Sequence, residues 1–298
     1  MSRLSELLRA GRFVVTAEIA PPASADPQAL LDKAKPLRGL ADAVNVTDGA
    51  QARVSMSPLA AAALLVREGI EPILQLSCRD RNRIALQSDL LGAAALGIEN
   101  VLMLRGDDPT TGDQPDTKPV FDLDTQALVQ TAAQMRDAGK LPSGRALQDK
   151  PKLFIGATDS PLDPPPGWQP DKLRAKIEAG AEFMQTQFCM DLDVLARYLQ
   201  RLADDGLPST YFLIGIAPLA SVQSAQWMRK NLPGVVISDA IVTRMERATD
   251  GKAEGRRICV ELLQQLAEMK GVAGAHVMAP LNEAALAPTL QEFRANSM

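Results

Sequence analysis

The 298-residue sequence predicts a single (β/α)8 barrel over residues 1–298, with extra helices near the carboxyl terminus. Three observations predict this α/β fold class. Short apolar segments alternate with helical segments about eight times, and parallel strands need such crossover connections. The apolar segments are continuous, as expected for strands that are buried on both faces. The chain length also matches that of a barrel built from eight such units.

The first four units follow one another without interruption. Their strands are predicted at residues 13–20, 43–47, 72–78 and 100–104. A helix over residues 26–37 follows the first strand. The next helix begins at Ser57 and Pro58, because serine is a good N-cap and proline is favoured at the first helical position. The third helix covers residues 82–96 and ends before Gly97, a residue that favours helix termination.

The second half of the chain shows the same alternation of strands and helices. Its strands are predicted at residues 152–157, 181–188, 211–217 and 274–279, and its helices at residues 125–138, 171–180 and 191–205. Residues 235–237 have strand propensity, but with residues 274–279 as the eighth strand we assign them to an extra helical segment. A doubly wound open sheet is the rival fold. A glycine-rich turn after the first strand would favour it, and Pro21 and Pro22 stand there instead.

Composition excludes several classes of protein. The formal net charge is −4, from 32 Lys and Arg against 36 Asp and Glu, which argues against a dedicated nucleic-acid binder. One histidine and three cysteines argue against a multi-histidine or four-ligand zinc site, so we expect no metal. Cys78, Cys189 and Cys259 are widely spaced among apolar residues and are predicted to be buried, reduced thiols.

The compartment is predicted from two further features of the sequence. The amino-terminal segment is polar and amphipathic, without the apolar core of a secretory signal. No run reaches about 18 uninterrupted apolar residues, the length needed to span a membrane. We therefore expect a cytoplasmic protein that does not bind membranes.

Polar residues at the carboxyl ends of the predicted strands are the candidates for chemistry, because barrel enzymes place catalysis there. Glu18 interrupts an apolar strand, so it is either a general acid or the partner of an arginine on a neighbouring strand. Residues 105–107 either bind a ligand or form a charged turn. Gln187 either binds a heterocycle edge or bonds to a neighbouring loop. His276, the only imidazole, is more typical of a satisfied core residue than of a catalyst.

These residues occur within motifs whose order along the chain resembles that of the methylenetetrahydrofolate reductase family. The motifs are residues 17–22 (AEIAPP), 46–49 (VTDG), 104–109 (LRGDDP), 176–183 (KIEAGAEF), 186–188 (TQF) and 215–218 (GIAP). Residues 78–82 (CRDRN) and 86–92 (LQSDLLG) are most similar to reductase domains that some bacteria fuse to a homocysteine methyltransferase. The match covers most of the chain.

The resemblance implies a flavoprotein barrel that interconverts 5,10-methylenetetrahydrofolate and 5-methyltetrahydrofolate. FAD would carry hydride from NAD(P)H, in one-carbon metabolism and methionine biosynthesis. Glu18 matches the family's general acid, Asp107 its aspartate near flavin and pterin, and Gln187 its pterin-binding glutamine. The cofactor-binding positions implied by the family are Thr47, Gln75, Arg105, Gly106, Asp107 and Lys176.

The sequence departs from the family pattern in three places. Gln75 stands where a histidine is common, and residues 158–161 replace a Tyr-Pro-Glu-x-His-Pro segment that touches the flavin. Phe121 corresponds at best to the family's tyrosine before the fourth helix. Three alternatives therefore stay open: reduction of a different one-carbon pterin carrier, reduction without bound flavin, and a non-catalytic pterin-binding subunit. The small-molecule folate is the expected partner, and a homo-oligomer or a partner subunit is compatible with the sequence.

Overall fold

A computed structural model describes residues 1–207 and 209–296 and contains one large parallel sheet. Its strands are β1 (Val14–Ile19), β2 (Ala43–Val46), β3 (Pro72–Ser77), β4 (Asn100–Leu104), β5 (Phe154–Asp159), β6 (Phe183–Met190), β7 (Tyr211–Ile216), β8 (Val236–Ile237) and β9 (Gly274–Val277). Each of the first seven strands pairs with its neighbours in chain order. β9 pairs with both β7 and β1, and β5 pairs with β6. The sheet therefore closes into an eight-stranded barrel, which confirms the predicted fold class.

The assignment of residues 235–237 to a helical segment is wrong. Val236 and Ile237 form the short strand β8, which pairs in parallel with Cys189 and Met190 at the end of β6. It lies outside the eight strands that close the barrel. The strand propensity of residues 235–237 predicts the structure correctly here. Val236 and Ile237 can form a strand because the end of β6 has a free edge with which they pair.

Eleven helices are present in the described residues. They are α1 (Arg3–Arg9), α2 (Pro27–Ala34), α3 (Pro58–Arg67), α4 (Arg83–Ala95), α5 (Thr125–Ala138), α6 (Asp171–Glu178), α7 (Leu192–Asp204), α8 (Val222–Asn231), α9 (Asp239–Arg247), α10 (Gly251–Glu268) and α11 (Leu286–Asn296). Side-chain oxygens of Asp26, Asn82, Asp124, Asp191 and Asp250 accept backbone N–H groups at the starts of α2, α4, α5, α7 and α10. These caps fix where the helices begin after the strand ends.

The lower end of the barrel, where the strands begin, is filled by apolar side chains. Leu4 and Leu8 of α1 pack against a layer of inward-facing residues: Val14, Ala43, Ile73, Leu102, Phe154, Phe183 and Leu213. The rings of Phe154 and Phe183 stack with centroids 4.9 Å apart. Gly156 makes this possible, since a Cβ there would lie 2.3 Å from the Phe183 ring. This end of the barrel is therefore closed to ligands.

β6 contains an irregularity that matters for the site. Gln185 pairs with Leu213, but the next registered pair is Phe188 with Gly215, so β6 carries one extra residue there. The hydroxyl of Thr186 accepts the N–H of Gly215 at 2.8 Å and holds the bulge.

Candidate active site at the carboxyl ends of the strands

Glu18 lies near the end of β1 and points into the barrel. Its Oε2 atom accepts a hydrogen bond of 2.8 Å from Nε2 of Gln75 on β3, and it lies 3.4 Å from Nε2 of His276 on β9. The side chain of Glu18 is 21% exposed, whereas that of His276 is 3% exposed. The described partners of the carboxylate are therefore an amide and an imidazole, and not the arginine that the sequence left open.

A layer of buried polar side chains lies directly below Glu18. Asn45 of β2 and Gln185 of β6 bond to each other through both amide groups, at 2.5 and 3.0 Å. Nε2 of Gln185 also donates to the hydroxyl of Thr16 at 3.1 Å, and that hydroxyl lies 2.9 Å from Nδ1 of His276. Over the whole residue, backbone included, none of these four is more than 2% exposed. Each therefore depends on the others for its hydrogen bonds; we call Thr16, Asn45, Gln185 and His276 the polar layer.

A cavity of about 290 Å³ opens above Glu18. Most of its walls are apolar, from residues that include Ala20, Pro21, Val54 and Leu281. Thr47 lies at its inner wall, and its hydroxyl is buried without a hydrogen-bond partner. A buried, unpaired hydroxyl next to a carboxylate is a group that a ligand can satisfy.

Non-glycine residues with a left-handed backbone occur at the mouth of the barrel. Gln51 and Ala52 after β2 have φ of 57° and 54°, and Leu281 after β9 has φ of 60°. Gln51 and Leu281 both line the Glu18 cavity, and Leu281 is 94% exposed. Such backbone costs of order 1–3 kcal/mol per residue and clusters at functional sites.

A second cavity, of about 440 Å³, lies beside the start of α5 and carries three cations. Arg105 lies over the ring of Phe121 at 5.1 Å, and Lys172 and Lys176 are one turn apart on α6. Nζ of Lys176 donates to the carbonyl of Thr158 at 2.6 Å, and burial lowers the pKa of this amine. The three cations make this cavity suitable for an anionic group, although the carboxylate of Asp124, which caps the start of α5, also lines it.

The structure does not bring Asp107 and Gln187 into the walls of the Glu18 cavity. Oδ2 of Asp107 accepts the backbone N–H of Gln51 at 2.6 Å. Oε1 of Gln187 accepts the N–H of Phe188 at 3.0 Å, and its amide nitrogen lies 3.5 Å from the carbonyl of Pro233. The loop contact of Gln187 corresponds to the structural alternative that the sequence left open.

Comparison with known proteins shows which family this chain belongs to. A family model described as methylenetetrahydrofolate reductase matches residues 3–293. The chain belongs to this family. A Caenorhabditis elegans protein named probable methylenetetrahydrofolate reductase (NADPH) is 24% identical over 222 residues, which are 72% of this chain and 31% of that protein. The chain therefore spans about a third of the length of this relative.

Two solved structures are similar in fold. An uncharacterized protein from Clostridium thermocellum, described as binding two copies of 5-methyl-5,6,7,8-tetrahydrofolic acid, superposes with a TM-score of 0.62 at 13% identity. The match covers 98% of this chain and 99% of that chain. A Mycobacterium tuberculosis tryptophan synthase has a TM-score of 0.50 at 12% identity, covering 99% of this chain and 95% of that chain. At these identities the likeness concerns the barrel fold alone.

In this reductase-family barrel, Gly106 and the arginines after β3 have structural contacts. Gly106 has φ of 91°, and a Cβ there would lie 2.9 Å from Cβ of Arg79. Arg79 is buried and pairs with Asp80 at 2.7 Å. Arg81 pairs with Asp48, whose pKa is raised mainly by burial although the guanidinium opposes that shift. These arginines are therefore paired with carboxylates of the protein itself, although Nε of Arg81 is buried without a hydrogen-bond partner.

Other groups bear on the predictions about metals, thiols and membranes. The three cysteines are buried and unpaired, as predicted, and burial raises the pKa of Cys78 to about 11 and that of Cys189 to about 12. Within residues 1–207 and 209–296, no group of three His, Cys, Asp or Glu side chains could hold a metal ion. No helix in the same part of the chain is long and apolar enough to cross a membrane.

Asn45, Gln185 and His276 were among the polar residues that the sequence places on the strands, but they were given no site role, and Thr16 was missed. Thr16, Asn45 and Gln185 each stand on a predicted strand, two residues before Glu18, Thr47 and Gln187 respectively. The alternation of side chains along β1 and β2 places Thr16 and Asn45 on the inward face, and the bonds of Gln185 to both of them show that it also faces inward. Three inward-facing polar residues at the same depth of the barrel were the signal from which the polar layer could have been predicted. His276 on β9 is its fourth member.

Proposed function

We propose that this protein is a reductase that interconverts 5,10-methylenetetrahydrofolate and 5-methyltetrahydrofolate with NAD(P)H, in a barrel that binds FAD. The observation that carries the proposal is Glu18, a partly exposed carboxyl group at the base of a mostly apolar cavity. Membership of the reductase family and the folate bound by the Clostridium thermocellum neighbour support the same substrate class.

The reaction requires an acid at this place. In the substrate, one methylene carbon bridges two nitrogens, and one of these nitrogens carries an aryl group. Glu18 gives a proton to the aryl-bearing nitrogen, and the bond from that nitrogen to the methylene carbon breaks. The electron pair of that bond stays on the released nitrogen, and an iminium forms at the other nitrogen. The iminium carbon then accepts a hydride, which completes the methyl group.

The cavity fits the first step. The aryl ring is attached to the nitrogen that receives the proton, so it must lie beside Glu18. Apolar side chains such as Val54 and Leu281 surround that position and can pack against an aromatic ring. Asp107 and Gln187 are proposed to hold the polar edge of the pterin. Both have polar groups that now bond to backbone, and binding would exchange those contacts for contacts with the pterin.

The chain also has groups that fit FAD. The unpaired hydroxyl of Thr47 and the cationic cavity with Arg105 and Lys176 match a heterocycle that is attached to a diphosphate. Thr47, Arg105, Gly106 and Lys176 would hold it, with Gln75 at the position next to Glu18. When bound, a flavin supplies a two-electron carrier between NAD(P)H and the folate.

The test is turnover by the purified protein. We expect NAD(P)H oxidation that depends on 5,10-methylenetetrahydrofolate, and a visible flavin spectrum. Activity without a flavin spectrum would remove FAD from the proposal and keep the reductase. Turnover with a methanopterin but not with folate would change the substrate. Folate binding without nicotinamide oxidation would identify a non-catalytic binder and refute the proposal.

Glu18→Gln isolates the acid. The amide has nearly the same shape but cannot give up a proton to the folate, so folate turnover should fall by about 10²-fold or more. Folate binding should stay within a few-fold of the original protein. Glu246→Gln is the matched control, because Glu246 is on α9 and its described contact is with Gln226. Survival of folate turnover in Glu18→Gln within a few-fold would show that another group is the acid.

A further inference from the structure

The two oxygens of the Glu18 carboxyl group have different surroundings. Oε2 accepts the amide N–H of Gln75 and faces Nε2 of His276. No described group donates to Oε1 within hydrogen-bond distance. The pair of contacts holds the carboxyl group by one oxygen and leaves the other available to a ligand in the cavity.

The position of the ring proton on His276 follows from the polar layer. The amide oxygen of Gln185 accepts from Asn45, so its amide nitrogen is the atom that faces Thr16 and Nδ1 of His276. An amide nitrogen only donates, and the hydroxyl of Thr16 therefore accepts from it and has its own hydrogen left to give. Nδ1 of His276 lies 2.9 Å from that hydroxyl, closer than the carbonyl of Ala275 at 3.3 Å. The shorter distance to the hydroxyl, and the second donor at 3.4 Å on Gln185, favour Nδ1 as the acceptor.

We propose that His276 is a positioning residue for Glu18, held by the polar layer as the neutral tautomer with its hydrogen on Nε2. The inference rests on the proposed function, because it gives Glu18 its role as the acid. The Nε2–H group donates to Oε2 of Glu18, so the proton that the carboxyl group transfers is carried on Oε1, toward the cavity. His276 acts through Glu18 and does not touch the substrate.

The same contacts exclude a proton relay through the histidine. Beyond His276 the polar layer ends at Thr16 and Asn45, which are fully buried, and the apolar layer with α1 lies below them. Among the described residues, the contacts of Nδ1 lead to Thr16 and Gln185, and from these to Asn45 and the carbonyl of Ala275, all of which are buried and none of which leads to solvent. Glu18 must therefore regain its proton from the cavity side.

The single histidine makes the central claim directly measurable. The ring nitrogens of tag-free, ¹⁵N-labelled protein give one set of NMR signals, which need no assignment because the chain contains one imidazole. We expect the pattern of a neutral ring protonated at Nε2. Gln185→Glu replaces the donating amide nitrogen by a carboxyl oxygen, which accepts, and should move the hydrogen to Nδ1. A ring already protonated at Nδ1, or at both nitrogens, in the unmodified protein would overturn the proposal.

The kinetic consequence is tested with a pair of amides. The side chain in His276→Gln can bring its N–H group to the place of Nε2, whereas the shorter side chain in His276→Asn reaches only the place of Nδ1. We expect His276→Gln to keep kcat for folate within a few-fold and His276→Asn to lower kcat by about 10- to 100-fold, with KM little changed, because a misplaced acid slows chemistry more than binding. If His276 had a purely structural role, both variants would lose kcat and thermal stability to a similar extent.

The two sets of results separate the inference from the proposed function. The NMR result does not depend on turnover, so the tautomer stands or falls even if the folate reaction is absent. If folate turnover is present and His276→Asn retains the original kcat, the proposed function survives and the positioning role is refuted.

Discussion

The two layers inside the barrel are built on opposite principles. The lower layer consists of apolar side chains, including Phe154 and Phe183, which need only shape to fit. The layer above it consists of Thr16, Asn45, Gln185 and His276, which are equally buried but need specific partners. The lower layer therefore tolerates changes that preserve volume, whereas the polar layer tolerates only changes that preserve donors and acceptors. The lower layer thus contributes mainly to the stability of the barrel, whereas the polar layer above it holds specific hydrogen bonds in place.

The largest expected effect comes from removing volume in the lower layer. Phe183→Ala deletes a fully buried ring that stacks on Phe154, and loss of such a ring costs about 3–5 kcal/mol in the free energy of unfolding. Urea unfolding measures this cost. Trp227→Ala is the control, because Trp227 lies on α8 and is 55% exposed. A cost below about 1 kcal/mol for Phe183→Ala would mean that the layer repacks, against the view that shape holds it.

The second effect comes from removing one partner in the polar layer. Gln185→Leu leaves the amide oxygen and the amide nitrogen of Asn45 buried without their partner, which should cost about 1–3 kcal/mol. In the double variant Asn45→Leu/Gln185→Leu no amide is left unpaired, so its cost should be smaller than the sum of the two single costs. A double-mutant cycle measures this coupling. Additive costs would show that the amide pair is not a unit.

A smaller effect is expected at the mouth, above both layers. Leu281 has a positive φ and an almost fully exposed side chain, so it has backbone strain without compensating burial. Leu281→Gly should raise the free energy of unfolding by up to about 1 kcal/mol, because glycine adopts this conformation freely. Leu281→Ala keeps a Cβ and should give no gain in melting temperature. A lower melting temperature for the glycine variant would show that the leucine side chain packs in solution.

The smallest effect lies outside the barrel and depends on pH. Arg83 at the start of α4 donates to Asp122 at 2.8 Å, which lowers the pKa of that carboxyl to about 2. A lowered pKa in the folded state stabilises the protein above the ordinary value of 3.8, and this contribution is lost as pH falls through about 2. Asp122→Asn should therefore be slightly less stable than the original protein at neutral pH, with the difference vanishing in strong acid. A difference that persists well below this pKa would contradict the ion pair as its source.

Much of the fold was predictable because its signals are local. Continuous apolar strands separated by capped helices predict the barrel, and the structure confirms the strands to within a few residues. β8 was not predicted as a strand, because its pairing with the end of β6 depends on a free edge that exists only in three dimensions. Glu18 was identified as a candidate because a charge inside an apolar strand is conspicuous.

The environment of the site was less predictable, because hydrogen bonds join residues that are distant in the chain. Gln75 and His276 contact Glu18 from 57 and 258 positions away. His276 was interpreted as a satisfied core residue, and its contacts with Thr16 and Glu18 agree with that interpretation while also connecting the core to the site. The roles of Asp107 and Gln187 stay predictions, since their present contacts are with the protein's own backbone.

The extra residue in β6 has a consequence for how such a barrel can diverge. Below the bulge, Gln185 belongs to the polar layer and is bound by its partners. Gln187 lies within the bulge, and the regular pairing resumes at Phe188. The irregularity separates the register of the upper strand from that of the lower strand. Gln187 is the one residue of β6 that is not buried, so substitutions at this position need not disturb the buried residues on either side, Gln185 and Phe188. One strand can thus keep its buried positions fixed while a single partly exposed position in the bulge changes to suit a different ligand.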